Sequence, residues 1–246
     1  MATDNKKKTS DDLLRELTKW FEDWESACQS HTLHQENWTK YYDGDQWTAD
    51  EEKQLKDANQ PIVVKNRIKK KVNSVVGQAI RDRRDPEAVP REQAEGEHAD
   101  AATDSLRFVS DNTNFQRKET NVVLDVCKTG LGAVIHSVDP DTMDIQIKQI
   151  PWNYLFWDPH SRKSDFSDAK YIGIHKYRDL EDICDDPQYK GAYDILKDVN
   201  FSSEDISGSG KDRPSTWYDS ERKRIRVVEI YYKDKAENVE VNGQPV

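Results

Sequence analysis

Cysteine is scarce in this sequence: Cys28, Cys127 and Cys184 are three in 246 residues, odd in number and far apart. Without a C-x-x-C pair they argue against a disulfide framework and for free thiols in a reducing compartment. Hydrophobic residues are few as well, at 35% against about 45–50% in an ordinary globular domain. A modest core follows, with much surface left exposed or covered by a partner. No apolar run approaches the roughly 20 residues of a membrane span. The leading MATDNKKKTSDD has no apolar stretch behind its lysines, so neither a membrane partner nor export by that route is expected. Basic residues are outnumbered, 37 to 47, leaving a formal charge of −10. The chain as a whole therefore repels nucleic acid, and only segregated basic patches can reverse that locally.

Helix-period patterns dominate the first half. Leu13, Leu17, Trp20, Phe21, Trp24, Ala27 and Cys28 recur at three and four, and Leu33, Trp38, Tyr41 and Tyr42 extend the pattern to Gly44. They predict one amphipathic helix over 11–42. Thr48 to Glu51 is a capping box opening a short helix that ends before Pro61. Ile62 to Val64 reads as a brief strand, and Asn66 as the cap of a helix with Ile68, Val72, Val75, Val76, Ala79 and Ile80 on its apolar face. Prolines 86 and 90 mark an extended connection, after which helices are predicted over 91–109 and from Phe115 to Gly130.

Strand-period patterns follow. Ala133 to Val138, a turn at Asp139-Pro140-Asp141, and Ile145 and Ile147 predict a hairpin. Pro151 and Pro159 bracket a segment, Trp152 to Trp157, expected to be extended, with Tyr171 to His175 as a strand beyond it. Short helices are expected at 180–183 and 189–196, a loop over 202–215, and a strand from Ile225 to Tyr232. The final Val239 to Val246 reads as a hairpin broken off in its return strand. The expected class is thus α+β, a long N-terminal amphipathic helix and further helices packed on a mostly antiparallel sheet. A disordered tail is expected over 1–10, a helical part over 11–130 and a strand-rich part, cut off in a hairpin, over 131–246. Trp20, Trp24, Trp152, Phe156 and Trp157 are the expected core.

Several short motifs stand in a fixed order: the helix containing Trp24, Tyr41-Tyr-Asp-Gly44-Asp-Gln46-Trp47, Pro61-Ile-Val-Val-Lys-Asn66 and Gly77-Gln-Ala-Ile-Arg81. Gly130-Leu-Gly132, Trp157-Asp158-Pro159-His-Ser161, Asp168-Ala169 and Val228-Glu-Ile-Tyr231 complete the series. Their order and spacing resemble the portal proteins of short-tailed bacteriophages, typified by phage P22. The resemblance implies a homo-oligomeric ring, a dodecamer at one capsid vertex, through which a terminase drives genomic DNA and onto which tail factors dock. It implies a structural conduit without a cofactor, not an enzyme, in the virion and, during assembly, in the host cytoplasm. Family members are longer, so this chain corresponds to their N-terminal wing portion, without stem and clip.

The remaining candidates are judged on their own residues. Lys69, Lys70, Lys71, Arg81, Arg83 and Arg84 are candidate contacts to DNA or to a neighbouring subunit. Because no aromatics interleave them for base stacking, pairing with acidic surface is the favoured reading. A stand-alone DNA-binding adaptor using 65–84 is the alternative, and an inactive prophage remnant a third. Asp158, Asp165 and Asp168 lack the spacing of a calcium loop and are read as turn formers. Gly208-Ser-Gly210-Lys211 fails the phosphate-loop pattern at both ends, and Gly130-Leu-Gly132 lacks the third glycine of a dinucleotide fingerprint. With no H-E-x-x-H and no G-x-S-x-G, metal and nucleophilic chemistry find no support.

Overall fold

The computed structural model describes residues 10–90, 96–140, 142–186, 189, 217–219, 222–234, 240–241 and 244–245. Its packing divides the chain into two compact units, one made of 1–26 and 154–246, the other of 27–153. Helices occupy the described chain up to Thr129, and from Ala133 on strands predominate, with a short helix at Leu180–Asp185 among them. The compact units do not share that division, because the first helix contributes residues to both. That helix, α1 (Ser10–Asp43), is continuous over 34 residues, about 50 Å at 1.5 Å per residue.

In the first unit the opening turns of α1 lie on an antiparallel sheet of order β3-β4-β6-β5, namely Leu155–Trp157, Tyr171–Asp179, Arg224–Tyr232 and Tyr218–Asp219. Phe21, Trp24 and Phe156 form its centre, 1%, 3% and 0% exposed. Phe21 meets Phe156 edge-on at 5.1 Å between ring centroids, and Trp24 lies 5.7 Å from the same ring. Each such ring removes about 150–250 Å² from water. Trp20 is half-buried and stacks on Tyr171 at 5.1 Å, whose hydroxyl donates to the Trp20 carbonyl at 2.9 Å. Trp152 and Trp157 are half-buried too, Trp157 against Phe166 at 5.4 Å. The long strand β4 contains Gly173 because a Cβ there would strike the Phe156 ring and the Glu229 carbonyl. A short helix, α6 (Leu180–Asp185), follows β4 directly.

One expectation for this segment is corrected. Trp152–Tyr154 forms a single 3₁₀ turn, and extended structure begins only at Leu155. Pro151 stands just before the first residue of that turn, where a fixed φ and a missing N–H are compatible with helical structure.

The second unit contains the rest of α1, α2 (Ala49–Asp57), α3 (Arg67–Arg81), α4 (Gly96–Asn112), α5 (Phe115–Thr129) and the hairpin β1 (Ala133–Val138) to β2 (Ile145–Ile150). α3, α4 and β2 all pack against α5. Thr48 and Glu51 close the expected capping box at the start of α2. Gly130 ends α5 in the left-handed region, and a Cβ on Gly132 would come within 2.7 Å of Val126 and 2.8 Å of Val122. The pair of glycines thus stops a helix and lets the chain pass close to it. The hairpin pairs Ala133 with Ile150 and Val138 with Ile145.

Ile62 to Val64 is not a strand: the segment is irregular and all three side chains are exposed, with no strand among the described residues paired to it. The helix expected over 91–109 is found at Gly96–Asn112, with 91–95 outside the described residues. The helix expected at 189–196, the loop over 202–215, Gly208 to Lys211 and the turn at 242–243 also lie outside them, Tyr189 apart. The terminal hairpin is represented by Glu240–Val241 paired with Gln244–Pro245.

Candidate functional site

The second unit has little apolar interior. Among its described residues the buried apolar ones are Val76, Ala99, Ile147 and Ile150, while Thr32, Gln35, Thr103, Ser110, Thr113, Asp125 and Thr129 are buried polar groups. Three of those polar groups, Gln35, Asp125 and Thr129, are linked by hydrogen bonds around the end of α5. Gln35 donates to the Thr129 carbonyl at 3.0 Å, filling an acceptor that the end of α5 leaves open. Gln149 donates to Asp125 at 2.9 Å, and the Thr129 hydroxyl to the Asp125 carbonyl at 2.9 Å. With such an interior, about half of the large apolar side chains of this unit are exposed. Val63 and Phe108 are each 68% exposed, Val75 56% and Val89 80%.

The start of α3 is fixed by one side chain. Asn66 Oδ1 accepts from Lys69 N at 2.9 Å as the N-cap, while its Nδ2 donates to the Tyr42 carbonyl at 2.7 Å near the end of α1. Gly44, at φ +101°, turns the chain out of α1 beside that amide. Tyr42 is clasped further: its hydroxyl donates to Asn73 at 2.7 Å, and the ammonium groups of Lys69 and Lys128 each stand 5.3 Å from its ring centre. Between these elements lies a cavity of about 170 Å³, lined by Trp38, Tyr41, Tyr42, Ile68, Val72, Cys127 and Lys128. It is smaller than the about 300 Å³ at which sites for small ligands begin.

The six basic candidates separate into groups. Arg83 is structural: its guanidinium binds Glu119 at 2.8 Å and the Thr120 hydroxyl at 2.8 Å, and its side chain is 18% exposed. Arg81 pairs with the adjacent Asp82 at 3.1 Å, and Lys69 belongs to the Tyr42 clasp. Lys70, Lys71 and Arg84 are exposed. The sequence missed the outward apolar positions and the cavity, since the 3.6-residue period marks a helix face without telling whether the same chain covers it.

The acidic turn between β3 and β4 is self-contained. The Asp168 carboxylate accepts from the Ser161 hydroxyl at 2.6 Å and from the backbone N–H of Arg162 at 2.8 Å, which holds its pKa down at about 2. For Asp158, partial burial pushes the carboxyl up, but N–H donors from His160 and Lys170 outweigh it and the net direction is down. These carboxylates are spent on the turn, and no group of three or more metal-ligating side chains occurs among the described residues. No helix there is long and apolar enough to cross a membrane.

A family model described as phage P22-like portal protein matches residues 18–244, and the chain belongs to that family. Its role is accordingly a structural one in a phage portal. No curated protein matches the chain significantly.

Proposed function

We propose that this chain supplies the wing part of a portal subunit, and that copies associate side by side into a ring, a dodecamer in the complete particle. Genomic DNA passes through that ring during packaging and ejection, with terminase, capsid and tail factors as partners and the virion as the final location. The observation that supports ring assembly is the composition of the second unit, whose interior is polar while Val63, Val75, Val89 and Phe108 face outward. A neighbouring copy that covered such side chains would take them out of water, which favours association. The net charge of −10 suits a conduit, because a wall that bound phosphate would retard sliding DNA. Catalysis has no part in this reading.

The decisive measurement is the mass in solution, with electron microscopy, of the complete product of the gene. Ring-shaped particles are the expected result. A strictly monomeric product that grips duplex DNA would overturn the reading in favour of a DNA-binding adaptor.

A further inference from the structure

We infer that Phe108 on α4 of one copy of this chain seats in the cavity between α1, α3 and α5 of the next copy. The inference rests on the ring reading above and names the two surfaces that meet. Three observations carry it, beginning with size. The cavity, about 170 Å³, is walled by Trp38, Tyr41, Tyr42, Ile68 and Val72. It suits one large side chain better than a ligand, and aromatic anchors in such pockets dominate protein interfaces. The second observation is the knob itself. Phe108 is 68% exposed on a helix whose buried residues are Ala99, Thr103 and Ser110.

Charge is the third. Around Phe108, Asp104 and Asp111 stand four residues before and three after, on the same helix face. α4 carries four acidic residues against Arg107 alone, whereas α3 carries five basic residues and no acidic one. At the cavity, Lys69 flanks Tyr42 and is exposed, as are Lys70 and Lys71 beside it on α3, while Lys128 on the other side of Tyr42 is paired with Asp125 at 3.5 Å. An acidic collar around an aromatic knob therefore faces a basic collar around an aromatic hole, which steers and registers the two surfaces. Because the knob and the hole are different patches of one chain, the contact is heterologous and propagates from copy to copy, as a ring requires.

Cys127 lines the cavity and is exposed, so the chain carries its own reporter. In a Cys28→Ser, Cys184→Ser background, Phe108→Cys under mild oxidation is expected to give a ladder of disulfide-linked species longer than a dimer on a non-reducing denaturing gel. Removing Cys127 as well (C127S) should abolish it. Separately, Phe108→Ala should weaken assembly, followed by native mass spectrometry, by about 30-fold or more, with the urea midpoint of the subunit unchanged.

Bridging confined to dimers or within one chain would overturn the inference. Assembly to ring mass without any bridge, or undiminished in Phe108→Ala, would overturn it while leaving the portal reading intact. A complete gene product that neither assembles nor cross-links would overturn both.

Discussion

Gly173 has no room for a side chain in the β-sheet of the first unit. Its missing Cβ is where the Phe156 ring and the Glu229 carbonyl already stand, and one of these is backbone. A side chain there must spread β4 from β6 or displace the most buried ring of the unit. Gly173→Ala is expected to destabilise by about 3 kcal/mol, the upper range for overpacking, read as a lowered urea midpoint. A second prediction concerns charge. Asp168 has its pKa lowered from 3.8 to about 2, chiefly by the Ser161 hydroxyl. A carboxyl depressed in the folded state stabilises above its unfolded pKa and loses that contribution as pH falls through the folded value. Asp168→Asn should thus be less stable than the parent at neutral pH. The gap should shrink between about pH 4 and about pH 2, measured by thermal melts across that range. A gap independent of pH would show that the carboxylate is not what closes the turn.

Asn66 makes the strongest case at the scale of elements, because one amide caps α3 and ties it to α1. Asn66→Ala forfeits both bonds and should cost about 2 kcal/mol. Asn66→Asp retains the cap, loses the donor to the Tyr42 carbonyl and should cost about half as much, with urea titration as the check. The cap was legible in the sequence as an Asn before an apolar helical period, as were α1, the capping box at Thr48, the hairpin and the two central strands. These features are local, fixed by spacing, capping chemistry and turn residues within a few positions. The second role of Asn66 was not legible, since its partner is 24 residues away. Nor was the burial of Gln35 or Arg226. Arg226 is 7% exposed, bound to Glu25 at 2.9 Å with its guanidinium 4.5 Å from the Phe21 ring. Along β6 it falls in an alternation that carries apolar residues on both sides, a pattern that does not reveal an ion pair with a residue of α1. Likewise the basic run around α3 suggested six comparable cations, whereas three-dimensional neighbours commit Arg83 to Glu119 and Lys69 to Tyr42.

For the whole molecule, the competing readings differ in how strongly the basic helix holds DNA. Around α3, Lys65, Arg67, Lys70, Lys71 and Arg84 are exposed, while Lys69 is held over the Tyr42 ring and Arg81 and Arg83 are paired with Asp82 and Glu119. Each phosphate neutralised contributes about −0.9 to the slope of log affinity against log salt, so these five cations set a limit near −4.5. The overall charge of −10 opposes binding further. The isolated chain is therefore expected to bind duplex DNA weakly, with a slope shallower than that limit, measured by fluorescence anisotropy over a salt series. Lys70→Ala combined with Lys71→Ala should flatten the slope by about 2 while changing subunit stability by less than about 0.5 kcal/mol. If these cations face acidic side chains of a neighbouring copy, DNA and assembly compete for them, and DNA affinity should fall further as protein concentration rises into the range where copies associate. A slope steeper than about −4.5, or affinity that grows with assembly, would require a DNA surface that α3 does not provide and would return the chain to the adaptor class.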